Sequence, residues 1–510
     1  MTDPHVDLGA KSQSERTLKA KVVGSLAWLS GAKLAAQILT WAVTLKVIAI
    51  LDPADYGLLS LALVGITFLL IFNELGLGAA LIQRKELDND TIQRVFGVLI
   101  LVNFLIYGAA YSLAPAVAAF FDDEKLVNLI RVLALQFPLM SLTVIPRSLL
   151  ARSLWLKETA LIDLAAQLTN SAITLALALS GYGVWSLVFG SLVGILVRVI
   201  GLNFCAPCLL YPKFDLLGMR QLASFSASFM TARVIFTVFS QLDVLIAGKV
   251  LDKTTLGLYT VSSFIATMPM LKLLGIVNQV GFPAFSNIQS NPDQVGYYFL
   301  KSVRLISIFS VPVLWGISAI TPELVNILFD DKWQGIETTL QLLALIVPIR
   351  LVNQLTPPML FGTGKPGRVS VNFLLMMIVM FFALLYGSQW GAAGMAIAWI
   401  VAFPLVAIVA LHRSTSDLPI GLIDVWSNIW RPMLAGVAMY LAIILARDVI
   451  EPSISIQWLL LIVLIGVGAI AYSLMIFLLA KPVLTEIKAL RSGGAGSSVS
   501  KDILPENPKS

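Results

Sequence analysis

Apolar runs of about twenty residues, the length that crosses roughly 30 Å of hydrocarbon at 1.5 Å per residue, recur from residue 24 to residue 479 with short polar breaks between them. The runs do not alternate in the two-residue rhythm of barrel strands, so helices are the predicted elements. Fourteen are placed near 24–50, 57–83, 93–118, 126–150, 160–180, 183–205, 224–250, 256–284, 302–321, 336–361, 369–387, 391–411, 432–449 and 457–479. The expected fold is an all-α polytopic membrane protein.

Composition sharpens this expectation. Of 510 residues 58% are hydrophobic and 13% charged, against roughly 25% charged in soluble domains, and the mean hydropathy is +0.88. The polar N-terminal segment 1–23 shows no small-residue cleavage site after a short apolar core, so no removable signal peptide is expected. Lys and Arg are retained on the cytoplasmic face. One set of segments holds Lys11, Arg16, Lys19, Lys21, Arg84, Lys85, Arg94, Arg147, Arg152, Lys157, Arg198, Lys213, Arg220, Lys301, Arg304, Arg350, Lys365, Arg368, Arg413 and Arg431. The alternate set holds Lys125, Arg131, Lys249, Lys253, Lys332 and Arg447, which puts both termini in the cytoplasm.

The net charge of +6 fits cytoplasmic loops facing anionic lipid rather than nucleic acid. The Gly/Ser-rich tail 481–510 is expected to be disordered. Cys205 and Cys208, with His5 and His412 far away in sequence, do not assemble a zinc site, and no metal or cofactor is expected. Phosphate-loop, zinc-protease and nucleophile-elbow motifs are absent, so an enzyme is not expected and energy would come from an ion gradient, Na+ or H+, or from downhill substrate movement.

The chain also repeats itself. Beginning at Ala32 and at Ala232, thirty residues align without a gap, with Leu51-Asp52 on Leu251-Asp252 and Gly57-Leu58 on Gly257-Leu258. FFDDEK from Phe120 resembles LFDDKW from Leu328, and LALQFP ending at Pro138 resembles LALIVP ending at Pro348. Two parallel six-helix bundles follow, at 24–215 and 216–415, with helices 13 and 14 in 416–480 outside the repeat. Parallel repeats predict a transporter that works by alternating access.

Charge inside a membrane helix is costly, about 2.5 to 3.5 kcal/mol at the centre on insertion scales, and marks function or internal pairing. Lys33, Gln37, Thr40 and Thr44 share one helical face, as do Ser226, Arg233, Thr237 and Ser240, and Lys33 aligns with Arg233. Lys46 lies on the opposite face, near the outer end, as an interfacial anchor. Two readings stay open. Lys33 and Arg233 attract an anionic head group, or Lys33 pairs with Glu74 and Asp243 with Lys272. Asn73, Asn278 and Gln279 add polar groups suited to interhelical bonding. Arg147 and Arg152 are either retention charges or a cytoplasmic access point for phosphate.

The passages LDPADYGLLSLAL, NELGLGAALIQR, FSQLDVLIAGKVLDKTTLGLYTVSSF, LFDDKW and MLFGTGKPGRVSVNF resemble the polysaccharide-transporter family of lipid-linked oligosaccharide flippases. That family belongs to the superfamily that also holds multidrug and lipid II exporters. The resemblance, over residues 20 to 480, implies translocation of an undecaprenyl-pyrophosphate-linked oligosaccharide across the bacterial inner membrane. It also implies work beside a polysaccharide polymerase and chain-length machinery, and a cationic cavity carried here by Lys33 and Arg233. A cation-coupled multidrug or metabolite antiporter of the same architecture, using Asp243 or Glu74, is the alternative.

Overall fold

The computed structural model describes residues 36–73, 77–78, 81, 88–153, 155–207, 211–214, 227–270, 275, 281–454 and 456–479. Lys33, Glu74, Lys272, Cys208, Asn278 and Gln279, singled out from the sequence, lie outside them.

The first unit spans Met1–Ser226. Its helices are α1 (Ala36–Ile50), α2 (Pro53–Leu70), α3 (Asn89–Phe120), α4 (Lys125–Leu133), α5 (Gln136–Ser141), α6 (Val144–Arg152), α7 (Leu156–Leu179) and α8 (Val184–Cys205). The consecutive helices α4, α5 and α6 form one apolar span, Lys125–Arg152. The second unit, Ala227–Ser510, holds α9 (Ala227–Val250), α10 (Lys253–Thr267), α11 (Pro292–Ala319), α12 (Thr321–Leu328), α13 (Ile336–Asn353), α14 (Thr356–Gly362), α15 (Pro366–Gly387), α16 (Gly391–Thr415), α17 (Leu422–Ile450) and α18 (Gln457–Leu479). Among the described residues eleven helical stretches are long and apolar enough to cross a membrane, and one of them, Pro366–Thr415, contains both α15 and α16. The shorter α1 and α10 occupy the places of the first and eighth predicted crossings. The chain is an all-α polytopic membrane protein.

Local chemistry explains where helices start. Asp252 caps α10 by accepting from the backbone N–H groups of Thr254 and Thr255, which satisfies donors that a helix start otherwise leaves open. Asn291 does the same for Gln294 at α11, where Pro292 occupies the first turn and has no N–H to satisfy. Gly183 and Gly391 precede or open α8 and α16 at φ of +54° and +68°, a region that side chains with a Cβ rarely adopt.

Close backbone approach fixes the α15–α16 hairpin. A Cβ on Gly394 would meet the Gly387 carbonyl oxygen at 2.2 Å, so only glycine permits this packing, five residues before Trp399 on the same helix. At the hairpin's other end Lys365 and Arg368 donate to Asp417, Lys365 Nζ at 2.6 Å from Oδ2 and Arg368 Nη2 at 3.0 Å from Oδ1. Hydrogen bonds from Lys365 and Arg368 hold the Asp417 carboxyl well below the usual aspartate range.

The last two helices belong with the second unit. Arg447 on α17 grips Glu323 of α12 through both carboxylate oxygens, Nη2 to Oε2 at 2.9 Å. Glu323 is 4% exposed, and a buried carboxylate held this way is destabilising once its partner is removed. Tyr472 of α18 donates to the Ile308 carbonyl at 2.9 Å, and Met439, Ile443, Leu460 and Leu464 pack with Val311 in one apolar cluster.

Two charges assigned to cytoplasmic segments by composition sit elsewhere. Arg350 is near the middle of the Ile336–Gly362 span, roughly 20 Å from either end at 1.5 Å per residue. The chain breaks step at Gln354 and Leu355 and continues through the double proline 357–358 as α14, within the predicted 336–361 crossing. Arg198 is likewise inside α8, seven residues before its end.

Candidate functional site

The second unit holds a buried polar cluster in the membrane region. Asp243 projects from α9, Tyr259 from α10, Arg350 from α13 and Trp399 from α16. Trp399 Nε1 donates to the Tyr259 hydroxyl at 2.8 Å, and that hydroxyl donates to Asp243 Oδ2 at 3.0 Å. The backbone N–H of Val244 donates to Asp243 Oδ1 at 2.8 Å. Asp243 is 8% exposed and Tyr259 1%. Buried polar groups need such partners, because each unmet group costs about 1–3 kcal/mol. Aromatic packing frames the cluster, with Phe239 edge-on to Trp399 at 6.1 Å between ring centres and Phe373 beside Phe239 at 5.8 Å.

Arg350 stacks its guanidinium over the Trp399 ring, 4.1 Å from Cζ to the ring centre, a cation–π geometry. Asp243 supplies the nearest compensating charge, acting on Arg350 through space rather than through a direct ion pair. The guanidinium has no hydrogen bond or ion pair with any described residue.

Arg233, the second unit's predicted cavity cation, is the third residue of the apolar span Thr231–Val250. It is exposed and makes no ion pair or hydrogen bond with a described residue. Thr237, one turn on, is buried, and Ser240 donates to the Thr237 carbonyl at 2.9 Å. Asp243 lies ten residues beyond Arg233 on the same helix, about 15 Å further along its axis.

The first unit is built differently. Asp163 of α7 bridges two arginines: Arg147 of α6, Nη2 to Oδ2 at 2.8 Å, and Arg198 of α8, Nε to Oδ1 at 2.9 Å. The three side chains are 36%, 49% and 35% exposed respectively, so this is a solvated network rather than a buried one. Arg152 reaches the Leu81 carbonyl at 3.4 Å. Of the polar stripe on α1, Gln37 is half-buried, Thr40 donates to the Ala36 carbonyl at 2.9 Å, and Thr44 donates to the Thr40 carbonyl at 2.8 Å. Asn73 bonds between helices, taking the Asn103 amide on its carbonyl at 3.0 Å. Lys46 is exposed.

The structure therefore brings Asp243 together with three residues that composition did not single out as site residues, Tyr259, Arg350 and Trp399. Arg233 stands apart from them. Besides Asp243, the sequence signal for the cluster was an arginine within an apolar stretch, LLALIVPIRLVN. Both Asp243 oxygens already accept hydrogen bonds and a guanidinium faces the group, which suits a fixed internal charge better than a metal ligand. Among the described residues no three His, Cys, Asp or Glu side chains converge as metal ligands.

A separate apolar groove of about 440 Å³ opens in the same unit between α11, α13, α16 and α17, lined by residues including Val311, Trp315, Val352, Ala407 and Trp426. It uses the face of α13 that carries Ile349 and Val352, not Arg350.

The helical packing resembles that of a solved multi-pass membrane protein. The lipid II flippase MurJ, in an inward closed conformation, superposes with a TM-score of 0.71 at 14% identity, covering 90% of this chain and 100% of that one. The chain belongs to the polysaccharide biosynthesis protein family, whose profile matches residues 47–338. It is 26% identical over 481 residues to an uncharacterized membrane protein in the cps region of Klebsiella pneumoniae, covering 93% of this chain and 98% of that one. It is 24% identical over 450 residues to the succinoglycan biosynthesis transport protein of Rhizobium meliloti, covering 87% and 90%.

Proposed function

We propose that this protein is a flippase that moves an undecaprenyl-pyrophosphate-linked oligosaccharide across the bacterial inner membrane, by alternating access, for exopolysaccharide, capsule or O-antigen assembly. The supporting observation is Arg233, an exposed cation without a described partner inside a membrane-crossing helix, in a family of polysaccharide biosynthesis proteins. Such a cation is retained at a cost that anion binding explains. The near full-length similarity to a succinoglycan transport protein supports the same reading, and the MurJ-like fold is suited to moving a lipid-linked head group.

In this reading Lys33 and Arg233 receive the pyrophosphate, with the prenyl tail left in lipid. Both termini are cytoplasmic, and the polymerase and chain-length machinery act on the delivered glycan. Gln37, Thr40 and Thr237 contribute polar contacts along the path, and Arg147 and Arg152 stand at its cytoplasmic side. Glu74 and Lys272 tune the charge of that path. The engaged oxygens of Asp243 favour this reading over a cation antiporter that uses Asp243 as its exchange site.

Replacing Lys33 and Arg233 together by alanine tests it. In a strain lacking the native protein, surface polysaccharide falls at least about tenfold, equivalent to roughly 1.4 kcal/mol of lost binding. Unchanged export with normal protein levels contradicts the anion-binding role.

A further inference from the structure

We infer that Arg350 is a second anion-binding residue on the substrate path, presenting its guanidinium edges to phosphoryl oxyanions while Trp399 and Asp243 hold it in place. The inference rests on the flippase reading and adds a site to it.

Arg350 differs from three other arginines held inside apolar spans. Arg447 is capped by Glu323, and Arg147 and Arg198 are capped by Asp163, each in direct contact. That is how a structural arginine is neutralised. Near Arg350 a carboxylate is present but engaged elsewhere, with Tyr259 on one oxygen and the Val244 N–H on the other. Tyr259 is itself fixed by Trp399. Asp243 thus offsets the charge of Arg350 through space without consuming its donors.

Stacking on Trp399 uses the guanidinium face and leaves its in-plane N–H fork, the edge that matches two oxygens of a phosphate. No described group takes that edge. Partial neutralisation by Asp243 also suits a transporter, which must release its anion as readily as it binds it.

The repeat indicates that the bundle does not need this cluster to pack. The ungapped alignment puts Val43 opposite Asp243 and Leu59 opposite Tyr259, and the LALQFP/LALIVP match puts Met140 opposite Arg350. The first unit fills the same positions with apolar side chains. Arg350 also partners Asp243 at a level about 15 Å from Arg233 along α9, so the second unit carries cations at two depths.

The test uses the full-length protein in lipid nanodiscs and measures binding of undecaprenyl pyrophosphate, with undecaprenol as the neutral control and inorganic pyrophosphate as competitor. The double variant Arg350→Met/Asp243→Val gives the second unit the residues of the first and leaves net charge unchanged. A merely structural pair predicts a stable variant with wild-type affinity. The account predicts a stable variant that loses at least tenfold in affinity for the pyrophosphate lipid, with undecaprenol binding unchanged. Arg350→Lys, which keeps the charge but not the fork, loses several-fold.

Should the double variant not fold, Tyr259→Phe serves instead. It retains both charges and frees Asp243 to close on Arg350, so pyrophosphate affinity falls several-fold. Wild-type affinity in whichever of these two folds overturns the role of Arg350 and leaves the flippase reading standing. Absence of pyrophosphate-lipid binding by the wild-type protein overturns both. Competition by inorganic pyrophosphate assigns recognition to the phosphoryl group alone. Its failure to compete, with the double variant still weakened, assigns recognition to the phosphoryl group presented on a lipid.

Discussion

The two units repeat one helical plan but place their charge in opposite ways. In the second, a carboxylate, a phenol, an arginine and a tryptophan meet among buried side chains. In the first, the aligned Val43, Leu59 and Met140 are apolar, and Ser191 stands opposite Trp399 when the glycines that begin α8 and α16 are matched. The first unit's own ionic network, Arg147–Asp163–Arg198, is a third to a half exposed. Duplication has kept what the scaffold needs, the Asp at each α1–α2-type junction and the turn glycines, while the membrane-depth charges differ. A charged cluster that one unit buries and the other replaces by apolar side chains then reads as function rather than as packing.

The largest expected effect comes from breaking the buried cluster on one side only. Arg350→Met alone leaves Asp243 buried without its compensating charge, a loss of about 3–5 kcal/mol by analogy with broken buried ion pairs. The matched double variant Arg350→Met/Asp243→Val recovers most of this loss. Thermal unfolding of the purified proteins measures both. If the single variant is as stable as wild type, Asp243 is not dependent on Arg350 and the contrast between units loses its energetic basis.

A smaller effect is expected in the first unit. Asp163→Asn removes the carboxylate between two half-exposed arginines, which water can solvate, so the cost is about 1 kcal/mol or less. The same unfolding measurement, repeated in high salt, should show the difference shrink. A loss as large as that of Arg350→Met would place the two networks in one class.

The third concerns the shared scaffold. Asp252→Ala removes the α10 cap and costs about 1 kcal/mol. The hydrogen bond from the Thr255 hydroxyl, aided by those from the backbone, holds the Asp252 carboxyl below its ordinary range. A depressed carboxyl stabilises the fold above its unfolded pKa and loses that contribution as pH falls through the folded value. The wild-type advantage over Asp252→Ala is therefore steady at neutral pH and fades only in acid below the usual aspartate range. A difference that disappears near neutrality contradicts the cap.

Much of the scaffold was legible because it is local chemistry. Apolar length marks a crossing, and the LD-x-x-x-x-G-L junction marks both halves, with the second Asp visibly capping its helix. The site was less legible. Asp243 stood out as a carboxylate in an apolar helix, but Tyr259 and Trp399, 140 residues apart, carry no signal that they bond to each other. Arg350 was counted with the cytoplasmic charges although it falls inside the predicted 336–361 crossing, because a Lys/Arg bias sorts charges by segment and carries no depth. Arg147 read as a basic helix end because its partner Asp163 lies on the next helix, α7.

The central claim is translocation of a lipid-linked glycan. It is tested most directly by depleting the protein and measuring which leaflet of the inner membrane holds the undecaprenyl-pyrophosphate-linked oligosaccharide, using a membrane-impermeant glycan label on spheroplasts. The account predicts accumulation of an unlabelled, cytoplasm-facing intermediate that becomes labelled when wild-type protein is restored but not when Arg233→Ala/Lys33→Ala is supplied. Normal labelling in depleted cells, accompanied by increased drug sensitivity, would contradict it.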